Sequence, residues 1–168
     1  MKLPIVFLLL ILVITSSCSK TEVYEEELIA TTLVTSDTET EMEIFNLVNN
    51  YRIELGLTKL EYNQKAQAYT LDHNVYMISK NNINHDNFAQ RSSQLSVEIN
   101  ATRIAENVGR NFTSANGIFE AWLASESHLK NIEGDFTETA ISVFASNEGM
   151  LYFTCLLYTS DAADDLLC

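Results

Sequence analysis

The order of the periodic segments constrains the fold of this chain more than any other feature. Apolar residues recur at helical spacing over residues 44–55, 64–80 and 115–125. Residues rich in Thr, Ile, Val and Phe then follow over 137–145, and a second such stretch covers 150–154. Helices first and a hairpin last predict an α+β fold, in which helices pack on a small central antiparallel sheet.

Residues 1–18 have the pattern of a secretion signal. A basic Lys2 precedes the apolar run 5–14, which is shorter than the roughly 20 residues that a membrane span requires. Small residues and Cys18 follow, so the segment resembles a bacterial lipoprotein signal. That resemblance implies an acylated Cys18, a membrane partner reached through this lipid anchor, and an extracytoplasmic location. An ordinary cleaved signal and an uncleaved anchor remain the alternatives.

The net charge narrows the range of partners. The chain has a formal charge of −13, which argues against a nucleic-acid partner because phosphates require a basic face. Much of this charge lies in residues 19–43, where eight acidic residues accompany the single Lys20. Such a stretch buries too little apolar surface to offset its chain entropy, and we predict a flexible acidic tether there.

A single carboxylate stands between apolar neighbours in the run 103–108. This residue, Glu106, is costly to bury unless a cation, a donor or a metal meets it. The chain has three histidines, and we predict that His85 and His128 converge with Glu106 on one cavity. The trio allows three chemistries: a hydrogen-bond network that shapes the cavity, a site for zinc or another divalent cation, or a general acid–base centre.

Two further residues belong to the predicted cavity. His73 lies on the apolar stripe of the second helix, where a hydrogen-bonded core histidine is expected. Ser125 lies near His128 in sequence, although a serine beside a histidine is weak support for a catalytic triad. The sequence has neither a G-x-S-x-G nor an H-E-x-x-H motif, so we assign no catalytic residue.

Several short segments occur together in the order and spacing of one known family. They are Leu47-Val48-Asn49-Asn50-Tyr51-Arg52 with Gly56-Leu57, His73 with Met77, Asn84-His85 with Phe88 and Arg91, Glu106-Asn107-Val108, Trp122, Ser125, and His128-Leu129-Lys130-Asn131-Ile132. Together they resemble the CAP superfamily (cysteine-rich secretory proteins, antigen 5 and pathogenesis-related 1) in its bacterial SCP-like form. The resemblance covers residues 44–154.

The resemblance implies an α-β-α sandwich with a cleft lined by histidine and glutamate. His85 and His128 match cavity histidines of the family, and Glu106 matches the glutamate of its E-N motif. Family members bind sterols, fatty acids or divalent metal. This chain departs from the pattern after His128, where Leu129 and then Lys130 follow and the bacterial motif usually has Arg directly after the histidine. It departs again at Glu138, where many relatives carry a histidine.

The carboxyl end departs from the family more sharply. Residues 155–164 resemble the conceptual translation of a sequencing-library transposase adapter. We therefore predict that residues 155–168 are not native and that the final native strand ends at Thr154. An unpaired or poorly specified sheet end would result.

The sequence thus predicts a lipid-anchored extracytoplasmic protein that binds a small hydrophobic or envelope-derived ligand in its cleft. Two other classes stay open. One is a metal-assisted hydrolase or peptidase of the cell envelope, and the other is an adhesion or interaction module with a vestigial cleft. The disposition of Glu106 and the histidines distinguishes these classes.

Overall fold

A computed structural model describes residues 36–160 of the chain. The predicted signal with Cys18 and most of the predicted tether lie outside these residues, as does the segment 161–168. The described helices are α1 (Thr38–Glu54), α2 (Gln64–Ser79), α3 (Phe88–Ile99), α4 (Ala115–Leu123) and α5 (Glu126–Ile132). The described strands are β1 (Glu61–Tyr62), β2 (Ala101–Arg110), β3 (Glu138–Ala145) and β4 (Leu151–Ser160). Over the same residues, no helix combines the length and apolar character that crossing a bilayer demands.

The four strands form one sheet in the order β1-β3-β4-β2. Strand β4 pairs antiparallel with both β2 and β3, and the predicted hairpin of β3 and β4 is confirmed. The sheet is nevertheless mixed, because the short β1 runs parallel to β3. The predicted α+β fold with a central antiparallel sheet is confirmed, and β1 adds a short parallel edge, where Asn63 starts α2 after two paired residues.

Helices cover both faces of the sheet, as predicted. Along β4, Phe153, Cys155 and Leu157 belong to a core with α1, α4 and α5. The alternate residues Leu156 and Tyr158 belong to a second core with α2 and α3. Because successive residues of a strand point to opposite faces, a central strand covered on both sides reads as an unbroken apolar run. The predicted α-β-α sandwich is confirmed.

The domain begins earlier than predicted. Helix α1 starts at Thr38, inside the predicted tether of residues 19–43. Glu41 is buried, and its carboxylate accepts hydrogen bonds from the backbone N–H of Val143 at 2.9 Å and from Nε2 of Gln67 at 2.8 Å. The acidic composition suggested a solvated segment, but through these contacts the last part of that segment packs against the edge of β3.

The carboxyl end also differs from the prediction. Strand β4 continues past Thr154 to Ser160, and Cys155 pairs with Ile141 on one side and Asn107 on the other. The residues after Thr154 are apolar and β-forming, so they satisfy the central position of the sheet. In this chain the end of the sheet is therefore paired on both sides, while the end of the native strand at Thr154 stays a prediction. The non-native origin of residues 155–168 stays a prediction.

Arg52 organises the segment that follows α5. This charged residue of α1 is only 1% exposed. Its guanidinium donates to the carbonyl oxygens of Thr58, Ile132, Gly134 and Phe136 at 2.6–3.1 Å. A buried cation requires such acceptors, so Arg52 ties the end of α5 to α1.

Candidate functional site

Glu106 lies in β2, an edge strand of the sheet. The αL backbone of Asn100 ends α3 and turns the chain directly into this strand. The Glu106 side chain is 1% exposed. Its Oε1 lies 2.8 Å from Nδ1 of His85 and 3.1 Å from Nη2 of Arg91, while Nη1 of Arg91 donates to Oε2.

These partners keep the Glu106 carboxylate ionised. Burial alone would raise the pKa of Glu106. Hydrogen bonds from His85 and Arg91, and the positive charges of Arg91 and His73, outweigh burial and hold the pKa below its ordinary value. The buried carboxylate is therefore an anion at neutral pH, and it acts only as a hydrogen-bond acceptor.

His85 lies in the loop between α2 and α3, and its side chain is 53% exposed. Because the Glu106 carboxylate can only accept, the hydrogen-bond network assigns the proton of the neutral imidazole to Nδ1. The unprotonated nitrogen is then Nε2. A carboxylate that orients an imidazole in this way is a recurrent arrangement in metal and catalytic sites.

Side chains from α2 and α3 anchor the His85 loop. Nε2 of His73 lies 2.8 Å from the carbonyl oxygen of Asn84, and Nη2 of Arg91 donates to the carbonyl oxygen of Asp86 at 3.2 Å. The hydroxyl of Tyr76 donates to the Asp86 carboxylate at 2.9 Å. His73 is 2% exposed and burial lowers its pKa, so the prediction of a hydrogen-bonded core histidine is confirmed.

His128 lies within the short helix α5, which follows the end of α4. It is half-buried, and burial together with the charge of His85 lowers its pKa. Nδ2 of Asn107 donates to the backbone carbonyl of His128 at 3.0 Å, and Asn131 donates to Oδ1 of Asn107 at 2.8 Å. The residue after Glu106 thus fixes the helix that carries His128.

The structure brings some of the predicted cavity residues into contact and leaves others apart. Glu106 and His85 are in contact, and Nε2 of His73 lies 3.7 Å from Oε1 of Glu106. His128 is close enough to His85 for their charges to interact. Oγ of Ser125 lies 3.3 Å from Oγ of Ser127, at the start of α5, and no hydrogen bond among the described residues joins it to a histidine.

A three-ligand metal site does not fit these contacts. Both carboxylate oxygens of Glu106 are already hydrogen-bonded, by Arg91 and by His85, so this residue orients His85 and is not free to bind a metal. Within residues 36–160, no group of three or more His, Cys, Asp or Glu side chains is placed to hold an ion. The predicted ligand set of His85, His128 and Glu106 therefore stays a prediction that these contacts do not support.

Arg91 is the site residue that the sequence analysis matched to the family but did not assign. It is 8% exposed and lies on the same buried stripe of α3 as Leu95, four residues later. A lone arginine on the buried face of an amphipathic helix requires an acidic partner. Glu106 is a buried carboxylate that requires a cation or a donor, so each residue meets the other's need. That pairing was the signal available in the sequence.

The fold and the site together define a class of protein. This is an α-β-α sandwich in which a buried glutamate of an edge strand supports a histidine of an interhelical loop. The chain belongs to the CAP family, the cysteine-rich secretory protein family, whose sequence model matches residues 45–157.

One curated relative and several solved structures are similar to this chain. It is 28% identical over 131 residues to the uncharacterized membrane protein YlbC of Bacillus subtilis, and the match covers 72% of this chain and 38% of that protein. This chain therefore spans well under half the length of that relative.

Solved bacterial structures share the fold. An outer surface protein of Borrelia burgdorferi has a TM-score of 0.67 at 19% identity, over 76% of this chain and 98% of its own. An extracellular SCP-domain protein of Bacillus anthracis has a TM-score of 0.64 at 21% identity, over 73% and 41%. A cysteine-rich secretory protein of Staphylococcus aureus has a TM-score of 0.61 at 15% identity, over 73% and 39%.

Proposed function

We propose that this protein is an extracytoplasmic CAP-domain protein that binds an envelope-derived ligand at the surface formed by His85 and His128. One observation carries the proposal: a buried glutamate, itself held by Arg91, orients the half-exposed His85. A fold that needed only a packed core would not require a solvent-facing imidazole on a buried ion pair, because such pairs contribute little net stability.

The proposed location follows the relatives. Two of the similar solved structures are described as an extracellular protein and an outer surface protein. Lipid attachment through Cys18 would hold the domain at the membrane, and it remains part of the proposal. An anchored domain meets envelope components at high local concentration, which suits a binding site of moderate affinity.

A second candidate function is hydrolysis. The pairing of Glu106 with His85 is also the orienting half of a general base, which would activate a water molecule through Nε2. Ser125 does not contribute a nucleophile in the described geometry, because its hydroxyl pairs with Ser127. Binding is the better-supported function, since it requires only the oriented imidazoles.

Native mass spectrometry of the full chain, extracted from envelope membranes in detergent, tests the proposal. We expect a bound envelope component on the wild type that is lost from the variants His85→Ala and His128→Ala. Lys59→Ala, which changes an exposed residue outside the site, is the matched control and should retain it. Equal retention by both histidine variants would contradict the proposed site, and release of a cleaved product would favour hydrolysis.

A further inference from the structure

Arg91 makes further contacts in addition to its ion pair with Glu106. Its two terminal nitrogens donate to both oxygens of Glu106, and Nη2 also donates to the carbonyl of Asp86. The guanidinium carbon lies 5.8 Å from the centre of the Phe88 ring. The residue is 8% exposed, so these contacts hold the guanidinium in one orientation.

This orientation fixes the plane of the Glu106 carboxylate. A two-point contact between a guanidinium and a carboxylate sets the position of both oxygens. Oε1 therefore stays directed at Nδ1 of His85, 2.8 Å away. Because this oxygen can only accept, the proton of the imidazole must lie on Nδ1.

We propose that Arg91 is a positioning residue that determines ligand specificity. By fixing Glu106 it holds His85 in the Nδ1–H tautomer, so Nε2 is a hydrogen-bond acceptor that selects an uncharged ligand offering a hydroxyl or amide N–H donor. The statement about the ligand rests on the proposed function, whereas the statement about the tautomer does not.

The surrounding charges agree with an uncharged ligand. His128 is half-buried, and burial lowers its pKa below the ordinary value, so it brings little positive charge to the surface at neutral pH. The positive charge of Arg91 is balanced by the carboxylate of Glu106. The whole chain has a charge of −13, which disfavours an anionic ligand at long range.

Long-range proton–nitrogen NMR spectra of the full chain, labelled with nitrogen-15 at histidine, test the tautomer directly. The chain has three histidines, and the spectrum of His85→Ala assigns the signals of His85. At neutral pH we expect the wild type to show a protonated Nδ1 and an unprotonated Nε2 on His85. The opposite tautomer in the wild type would overturn the inference.

Three variants and one control separate the positioning role from a structural one. In the isosteric Glu106→Gln, the amide oxygen faces Arg91 and the amide nitrogen donates to Nδ1, so we expect the tautomer to invert. In Arg91→Leu we expect a mixture of tautomers, and in Arg91→Lys a partial recovery of the wild-type signal. Arg103→Leu removes an exposed arginine paired with Asp135 and should leave His85 unchanged.

The outcomes are decisive even where one variant fails to fold. If Arg91→Leu does not fold, Arg91→Lys decides the role of Arg91, because lysine keeps the charge without the two-point contact; a His85 tautomer as uniform as in the wild type would overturn that role. Wild-type signals of His85 in Glu106→Gln, with the dispersed signals of a folded chain, would overturn the inference.

A ligand titration separates this inference from the proposed function. Chitobiose, an uncharged saccharide, should shift Nε2 of His85 in the wild type and not in Glu106→Gln. A shift with inorganic phosphate instead would overturn the ligand class. Absence of a shift with either probe would count against the proposed function, while the tautomer result would stand.

Discussion

Nδ1 of His85 lies 2.8 Å from Oε1 of Glu106, although the two residues are 21 positions apart in the sequence. This contact joins an exposed loop to a buried edge strand. Arg91 supplies the opposing charge, so the loop, α3 and β2 form one unit. The predictions below test whether the contacts of this unit and of its scaffold act as described.

Replacing Glu106 with Ala should strongly destabilise the domain. The change leaves the buried guanidinium of Arg91 without its carboxylate, and breaking such a pair costs about 3–5 kcal/mol. The free energy of unfolding in urea measures this loss. Asp135→Ala removes the carboxylate of the exposed Arg103 pair, and it should change the free energy by less than about 1 kcal/mol. Equal effects of the two changes would be inconsistent with a buried Glu106.

Replacing Arg52 with Met should loosen the segment after α5. The change removes the donors of four backbone carbonyls, and we expect a loss of roughly 2–4 kcal/mol in the free energy of unfolding. Hydrogen exchange should accelerate near Gly134 more than in α2. Lys59→Ala, an exposed neighbour of the same region, is the control. Uniform exchange across the domain would argue against a local anchoring role.

Stability should fall in two steps as the pH is lowered. The folded-state pKa of His73 lies below the ordinary value of 6.5, so its contribution is complete above 6.5 and is lost as the pH falls through the folded value. The folded-state pKa of Glu106 lies below 4.5, so its contribution is lost in a second step at lower pH. Urea unfolding at a series of pH values measures both steps.

His73→Gln is the informative variant for the first step. An amide can still donate to the carbonyl of Asn84 but does not titrate. The dependence of stability on pH just below 6.5 should therefore weaken in this variant, while the acid step from Glu106 remains. An unchanged profile would mean that another group causes the first step.

Replacing Glu41 with Ala should destabilise the domain by about 1–3 kcal/mol, because Val143 N–H and Gln67 lose a buried acceptor. Glu39→Ala, at an exposed position of the same helix, should cost less than about 1 kcal/mol. Thermal unfolding of the two variants compares them. Equal melting temperatures would indicate that this part of the chain behaves as the tether that its composition suggested.

Much of the scaffold could be predicted from local patterns. Asn63 and Ser114 cap α2 and α4, and such caps can be read from sequence because a capping side chain and its N–H partners are neighbours along the chain. The hairpin of β3 and β4 and the inward position of His73 followed from periodicity. The pairing of Glu106 with His85 followed from the need of a buried carboxylate for a partner.

The errors lie where distant contacts override local composition. Glu41 lay in a stretch whose acidic composition predicted a tether, and Arg52 is a charge that a helix usually exposes, but backbone groups from remote segments bond to both. Strand β2 contains too many polar residues for its sequence to indicate a strand. In the structure, side chains such as Asn131 and Trp122 hydrogen-bond to the backbone of its outer edge. Arg91 was not assigned to the site, because the fold is needed to show that the Arg91 face of α3 meets Glu106.

Selective chemical modification of the histidines tests the central claim most directly. Diethyl pyrocarbonate reacts with an accessible, unprotonated imidazole nitrogen, and peptide mapping by mass spectrometry reports each histidine separately. The side chain of His85 is 53% exposed and that of His73 is 1% exposed. We predict that His85 reacts fastest at neutral pH and that His73 reacts only after unfolding. A His85 that resists the reagent in the native protein, or a His73 that reacts equally fast, would contradict the account.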